Sequence, residues 1–269
     1  MSGRERYWAD AQRHAAVVRL QRVPRLFGTI WYGLQCMPPP VHPRLVSDQV
    51  FRTLLDALLE GRYAPGEKLP TQRALAADLG VTMSSLREAL KRLEQMGLID
   101  VRHGDAMRVR DWREHGGLDV IAHLLFRSGG VDQGVLGDVL EARRLMLREL
   151  AALAALRASA EQQRRLGELA AAFAEAPDAE TAQGLDFAFV TELAEAADNV
   201  VFVLILNSIR ALYFEHAAAL GVAARPHELA PAYAEAAEAV ARGDADRARA
   251  VVDALAERQR ERVEKALGR

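Results

Sequence analysis

The chain has 269 residues, of which 50% are hydrophobic and 27% are charged, and its formal net charge at pH 7 is −2. This length predicts about two domains, and no stretch approaches the roughly 20 apolar residues of a membrane-spanning helix. We therefore expect a soluble protein without a membrane partner. The single cysteine, Cys36, excludes an intrachain disulfide and a thiolate metal cluster, and it favours a reducing, cytoplasmic location.

Residues 1–43 form an N-terminal extension, and their first 36 residues lack a clear amphipathic period. The apolar run 26–37 follows a basic stretch, as in a signal peptide, but no small-x-small cleavage site follows it. We expect either a disordered arm or an upstream over-extension of the reading frame. A native N-terminal peptide beginning at Met37 would support over-extension of the reading frame, and a peptide covering Trp8 would exclude it.

Residues 69–109 predict a helix, a tight turn and a second helix, followed at once by two short strands. Thr71 is placed to cap the first helix, and Gly80 ends it with a residue that tolerates left-handed geometry. Three apolar side chains of this helix are expected to face inward: Ala74, Leu75 and Leu79.

The second helix is predicted to begin at Thr82 and to close at Gly97. Its polar side, with Ser84, Arg87 and Lys91, lies opposite an apolar stripe with spacings of three and four. That stripe consists of Leu86, Ala89, Leu90 and Leu93. Strands are predicted within 98–101 and 107–110, with the turn 103–105 as the wing tip.

This layout is a winged helix-turn-helix, in which one helix enters the major groove and side chains near its N-terminus touch base edges. The side chains best placed to do so are Thr82, Met83, Ser84, Ser85 and Arg87. A helix pair with a glycine turn is a weak signal for DNA binding, but the attached strand pair makes it much stronger.

The segment also resembles the DNA-binding domain of GntR regulators, with the pattern LPxERxLAxxLGVSRxxVREALxxLxxxGLxxxxxGxGxxV. Matching residues are Leu69-Pro70, Arg73, Leu75-Ala76, Leu79-Gly80-Val81, Arg87-Glu88-Ala89-Leu90, Leu93, Gly97-Leu98, Gly104 and Val109. The resemblance implies a set of residues at the DNA interface: Arg73, Thr82, Ser84, Ser85, Arg87, His103 and Gly104.

Two positions depart from the family pattern. Met83 stands where the family usually has Arg, and Asp105 follows the wing glycine, so the operator is expected to differ from the usual palindrome. Met83 fits an adaptable apolar contact, such as one to a thymine methyl. Arg73 has the alternative of an ordinary surface ion pair, and His103 that of a plain turn residue.

Charge is distributed unevenly along the chain. Residues 1–43 carry a net +4, residues 44–111 a net +1 and residues 112–269 a net −7. A nearly neutral DNA-binding unit has modest, salt-sensitive non-specific affinity, so we expect a homodimer. Two subunits would place their recognition helices in successive major grooves, roughly 34 Å apart on a palindromic operator.

The predicted fold class is mainly α: a winged helix-turn-helix at 44–111, a linker at 112–130 and an all-α effector-binding and dimerisation bundle at 131–269. Breaks at glycine and proline predict six or seven helices in the bundle, without strands. The run 200–214 is apolar nearly all round, which predicts a central buried helix.

The helical part resembles the FadR-like subfamily, the fatty-acid-responsive branch of GntR regulators, through LDFAFVTELAEAADNVVFVLILNSIRALYFEH at 185–216. A related branch binds a metal with one Asp and three His, beginning Asp-x-x-x-His. Here Asp186 is followed by Val190, and Tyr233 and residues near Leu255 fill later His positions. We therefore expect no metal and no cofactor.

Five polar residues on apolar helices are candidate effector contacts: Arg143, Asp186, Asn207, Tyr213 and Tyr233. An arginine there binds a carboxylate or phosphate, or it equally forms a buried ion pair with Asp186. The ligand contacts of the fatty-acid regulators do not carry over, because Gln259 and Val263 stand among residues that replace them. The effector is expected to be a small carboxylate or an acyl-CoA.

The sequence thus predicts an effector-responsive transcriptional regulator that binds DNA. One alternative is a GntR-type regulator of sugar-acid or amino-acid metabolism with a small anionic ligand, and another is an activator in place of a repressor. Activation and repression use the same DNA contacts. We see no Gly-rich phosphate loop, Ser elbow or His-Asp-Ser grouping, so we do not expect an enzyme.

Overall fold

The computed structural model describes residues 46–101, 106–127, 130–215 and 226–267. The predicted extension at 1–43 and the predicted wing tip at 103–105 lie outside the described residues. The elements in chain order are α1 Val46–Leu59, α2 Gln72–Asp78, α3 Met83–Gln95, β1 Ile99–Asp100, β2 Arg108–Val109, α4 Trp112–His115, α5 Val120–Leu125, β3 Phe126–Arg127, β4 Gly130–Val131, α6 Gln133–Arg157, α7 Ala160–Ala174, α8 Ala179–Ala196, α9 Val200–Glu215, α10 Pro226–Ala241 and α11 Ala245–Ala266.

Threonine caps begin both helices of the helix-turn-helix. The Thr71 hydroxyl accepts a hydrogen bond from the Ala74 amide, and the Thr82 hydroxyl accepts one from the Ser85 amide, each at 3.2 Å. Gly80 has φ +64°, a left-handed conformation that lets the chain turn between the helices. The helix starts and the break between α2 and α3 are confirmed.

The core of the N-terminal unit forms where α3 packs against α1. The predicted leucine stripe of α3 is buried, and α1 contributes Phe51 and Leu55 to the same cluster. The prediction for α2 was wrong at one residue, because Ala74 is exposed and Ala76 is buried beside Leu75. At 100° per residue, positions 75, 76 and 79 share one stripe and position 74 points away from it.

The wing is a short antiparallel strand pair in which Ile99 faces Val109 and Asp100 faces Arg108. The strands are shorter than predicted, with two residues each. A bridge between Lys68 and Arg108 adds a third segment on the outer side. One face of this sheet closes the N-terminal core.

A two-residue strand pair also follows the wing domain, because Phe126 pairs with Val131 and Arg127 with Gly130. The prediction of no strand after the wing was therefore wrong. Strands this short show no period-2 pattern, so the sequence gives no signal for them.

Within the described residues the C-terminal bundle contains six helices, α6 to α11, and the sequence predicted six or seven. Its core holds many alanines, which allow helices to approach closely, together with the buried rings of Phe173, Phe189 and Tyr233. The mainly α fold class is confirmed. No helix in the described ranges combines the length and the apolar character that crossing a bilayer requires.

The helix predicted to be central and buried, α9, is not central. Val201 and Leu204 are 57% and 58% exposed, and Val200 and Phe214 are exposed as well, whereas Leu206 is buried. The prediction failed because apolar helix surface tends to be buried, but the sequence alone does not show whether the rest of the same chain buries it.

Candidate DNA-binding surface and effector site

Helix α3, which the sequence predicts to enter the major groove, presents a polar face outward. Ser84, Arg87 and Lys91 are exposed, while Leu86 and Leu93 on the opposite face are fully buried. The leucines fix the rotation of the helix, and this rotation leaves the outer side chains free to meet a groove. The amphipathic division predicted from the sequence is confirmed.

Two of the predicted DNA-contacting residues also form hydrogen bonds at the N-terminus of α3. The hydroxyls of Thr82 and Ser85 lie 3.1 Å apart, and the threonine is the helix cap. Met83 is partly buried and packs against the N-terminal core. Its thioether side chain therefore lies between the core and the outer surface.

One arginine of this surface links α3 to a neighbouring helix. Arg87 Nε donates to Gln72 Oε1 across 3.4 Å, which links α3 to the start of α2, and Arg73 is exposed on α2. His103 and Gly104 lie outside the described residues. The sequence alone did not identify Lys68 and Arg108, two basic residues that are joined by an antiparallel β-bridge. This pairing could be recognised only from the sheet.

A buried carboxylate occupies the centre of the bundle. Asp186, on α8, accepts hydrogen bonds from the hydroxyls of Tyr213 and Tyr233, which belong to α9 and α10. It also accepts from Gln259 Nε2 at 3.2 Å and from Arg143 Nη2 at 3.4 Å. Four helices besides α8 therefore converge on a single side chain.

The same cluster positions its arginine. Arg143 Nη1 donates to Gln259 Oε1 at 2.7 Å. The Arg143 side chain is 20% exposed, against 3% for Asp186, so the guanidinium lies on the more open side. A paired guanidinium that keeps solvent access retains donor groups for a further anion.

Aromatic rings surround this polar centre. Phe173 stacks on Tyr233 with ring centroids 4.0 Å apart, and Phe187 contacts Tyr213 at 5.3 Å. Burial and the neighbouring Asp186 carboxylate raise the pKa of both Tyr213 and Tyr233 well above the usual range. Both phenols therefore stay protonated near neutral pH and act as donors.

The structure brings together four of the five predicted effector residues. Asn207 is not among them, because it is exposed on α9. Gln259 was missed as a contributor, although it is a polar residue in register with the apolar Ala256 and Val263 of α11. The ion pair between Arg143 and Asp186, which the sequence had left as an alternative, is formed.

The donor set of this cluster does not suit a transition metal. It offers one carboxylate, two protonated phenols, an amide and a guanidinium, whereas such metals need several neutral imidazoles, thiolates or carboxylates. Within the described part of the chain, no three His, Cys, Asp or Glu side chains are grouped so that they could hold a metal ion. The positive charge beside Asp186 comes from Arg143.

Comparison with known proteins assigns the chain to a family. Residues 46–109 match the family described as bacterial regulatory proteins, gntR family, and residues 138–258 match the FCD domain. The chain is 38% identical over 210 residues to the HTH-type transcriptional regulator Mce2R of Mycobacterium tuberculosis, covering 76% of this chain and 86% of that protein. The chain belongs to the gntR family of bacterial regulatory proteins and is a transcriptional regulator, not an enzyme.

Other relatives confirm the FadR-like resemblance and the fold. The fatty acid metabolism regulator protein of Pasteurella multocida is 30% identical over 161 residues, or 60% of this chain and 65% of that protein. The structure of Lar, which controls the expression of the Listeria monocytogenes agr system, shares the fold with a TM-score of 0.51 and 18% identity over 82% of this chain and 97% of that one.

Proposed function

We propose that this regulator binds a palindromic operator as a homodimer in the cytoplasm and that an anionic small molecule in the helical domain alters this binding. The proposal assigns 44–111 to DNA binding, 112–130 to the linker and 131–269 to effector binding and dimerisation. The observation that carries it is the orientation of α3, whose buried leucine stripe leaves Ser84 and Arg87 on the outer surface.

The DNA contacts we propose lie at the N-terminal half of α3, on α2 and on the wing. Side chains there reach base edges and phosphates when the helix enters the major groove. The proposed set is Arg73, Thr82, Met83, Ser84, Ser85, Arg87, His103 and Gly104. Met83 supplies an apolar contact at a position where related proteins have a cation.

Replacing Arg87 with Ala tests this surface. The variant should bind the DNA that wild-type protein selects from a random duplex pool about 5- to 150-fold more weakly, because a specific arginine contact contributes about 1–3 kcal/mol. Binding is measured by fluorescence anisotropy, and circular dichroism checks the fold. Arg62→Ala, which removes another exposed arginine of the same unit, is the matched control.

Equal operator binding by wild-type protein and Arg87→Ala would contradict the assignment of α3 as the recognition helix. Equal weakening in Arg62→Ala would instead indicate a general charge effect, which higher salt would abolish. Selection with the variant adds a further readout, because loss of a base contact relaxes sequence preference at one position of each half-site.

For the effector, we propose that its anionic group binds Arg143 and that the residue's neighbours Asp186, Tyr213 and Tyr233 hold the guanidinium in place. The supporting observation is the contrast in exposure between Arg143 and Asp186 within one hydrogen-bonded cluster. The compact polar centre favours a small carboxylate, such as a sugar acid or amino acid. The similarity to a fatty acid metabolism regulator protein supports an acyl-CoA as the second candidate effector.

Native mass spectrometry with gluconate, glutamate and oleoyl-CoA as probes separates these candidates. We expect one small acid to bind wild-type protein and to lose at least about tenfold in affinity in Arg143→Gln, because a charge-assisted bidentate contact is lost. Arg144→Gln is the control, since this neighbouring arginine pairs with Asp253 and Glu257 instead of Asp186. Binding that is unchanged in Arg143→Gln would refute the site, and exclusive binding of oleoyl-CoA would replace the small acid as the effector.

A further inference from the structure

The linker helix α5 has two buried faces that belong to different parts of the molecule. Val120 and Leu124 lie in the N-terminal core, while Leu125 packs with Leu136 and Val263 of the bundle. At 100° per residue, His123 falls on the same side as Val120 and Leu124. The histidine therefore faces the DNA-binding unit.

His123 contacts an aromatic ring of that unit edge-on. Its ring centroid lies 5.7 Å from that of Phe51 on α1, with an interplanar angle of 71°. Phe51 is almost fully buried. An edge-to-face pair of this kind stabilises the contact beyond the effect of the buried area alone.

The same phenylalanine also contacts the recognition helix. The guanidinium carbon of Arg92, in the last turn of α3, lies 3.9 Å from the centre of the Phe51 ring. Arg92 Nη1 also pairs with Asp48 Oδ1 at 2.5 Å. One ring thus joins the linker helix to the recognition helix, and we call this contact the His123–Phe51–Arg92 stack.

The charges around His123 oppose its protonation. Burial lowers its pKa from the ordinary 6.5, the cations of Arg52 and Arg92 lower it further, and the carboxylates of Asp119 and Asp56 act against them. The bundle helices pack on the other face of α5. The imidazole is therefore neutral at neutral pH.

We propose that the His123–Phe51–Arg92 stack is a proton-sensitive coupling between the linker helix and the recognition helix. A proton on His123 places a third cation beside Arg52 and Arg92, within a partly desolvated contact. Repulsion then loosens α5 from α1 and disturbs the support that Phe51 gives to α3. Acidification would weaken operator binding by this route without any change in the DNA-contacting residues.

The direction of the effect follows from linkage. A histidine whose pKa is lower in the folded state binds fewer protons there than in the unfolded chain. Its contribution to stability is complete above about pH 6.5 and is lost as the pH falls below that value. The loss is about tenfold in the local equilibrium for each pH unit by which folding lowers this pKa.

Hydrogen–deuterium exchange of the full chain at about pH 7.5 and about pH 5.5 tests the proposal. After correction for the intrinsic pH dependence of exchange, protection of the 120–125 amides should fall at the lower pH in wild-type protein. His123→Phe keeps an aromatic edge but does not titrate, so its protection should stay constant. His227→Gln, which removes an exposed histidine of α10, should behave as wild type.

An equal loss of protection in His123→Phe, or no loss in wild-type protein, would overturn the proposal. If His123→Phe does not fold, NMR titration of the His123 ring in wild-type protein tests the proposal instead. Protonation of the ring and loss of α5 protection must then have the same pH midpoint, and different midpoints would overturn the proposal.

The DNA part of the inference rests on the proposed function, and exchange separates the two. Loss of α5 protection without a change in operator affinity would remove only the DNA consequence. An absence of operator binding at both pH values would count against the proposed function and leave the stack itself supported by exchange.

Discussion

Glu192 is a carboxyl group that the bundle buries without a full set of partners. Among the described residues its Oε1 has no hydrogen bond, and its Oε2 lies 3.7 Å from Arg165 Nη1. Burial raises the pKa of Glu192 to about 7, against the opposing influence of Arg165, and Glu195 raises it further. Part of the population therefore carries a proton near neutral pH.

Replacing Glu192 with Gln should remove a pH dependence of stability. The pKa of Glu192 rises from 4.5 in the unfolded chain to about 7 in the folded protein, so the folded state binds more protons between these values. The contribution of Glu192 to wild-type stability should therefore fall from pH 5 to pH 8, by at most about 3 kcal/mol.

Urea unfolding of the wild type and the variant at both pH values measures the difference. Glu168→Gln, at an exposed site on α7, is the control and should leave the pH dependence intact. Identical pH profiles for wild type and Glu192→Gln would show that the carboxyl is solvated in the folded protein.

The turn after α3 shows how one element depends on another. Gly97 has φ +72°, and a Cβ added there would lie 2.4 Å from the carbonyl oxygen of His115 at the end of α4. Gly80, after α2, has φ +64° and nothing within 4 Å of an added Cβ. The two glycines share one backbone requirement but differ in the space around them.

The pair Gly97→Ala and Gly80→Ala separates these causes. Gly80→Ala should lower stability by about 1–2 kcal/mol, which is the cost of a left-handed alanine. Gly97→Ala should cost more, because α4 must also move away from the close contact. Chemical denaturation monitored by circular dichroism measures the loss of stability in each variant. Equal losses would show that α4 can move away from α3 without destabilising the protein.

At the scale of the whole molecule, the exposed apolar side of α9 is relevant to the oligomeric state. Val200, Val201 and Leu204 form adjacent exposed positions, in contrast to an isolated residue such as Leu156 at the end of α6. Single exposed leucines are ordinary, whereas contiguous apolar surface on a soluble protein marks an interaction site. A second copy of the chain is the occupant that the proposed palindromic operator requires.

Leu204→Glu should therefore shift the protein from dimer to monomer, because a buried unpaired carboxylate opposes association. Size-exclusion chromatography with light scattering measures the mass. Leu156→Glu is the matched control, since this leucine is 68% exposed and Leu204 is 58% exposed. A dimer that persists in Leu204→Glu would place the subunit contact elsewhere.

The helix-turn-helix could be predicted because its signals are local. Thr71 and Thr82 cap their helices through amides three residues away, and the α3 stripe repeats within a few turns. Such interactions are encoded in neighbouring residues, so the sequence contains the cap, the break and the polar face of α3 directly.

The interior cluster depended on the tertiary structure. Arg143 lies 43 residues from Asp186 and 116 from Gln259, yet all three share one hydrogen-bond network. The sequence identified candidates from polar residues on apolar helices, but helix packing decided that Gln259 joins them and Asn207 does not. The exposure of α9 and the contact of His123 with Phe51 were decided in the same way, because each depends on which distant helix lies opposite.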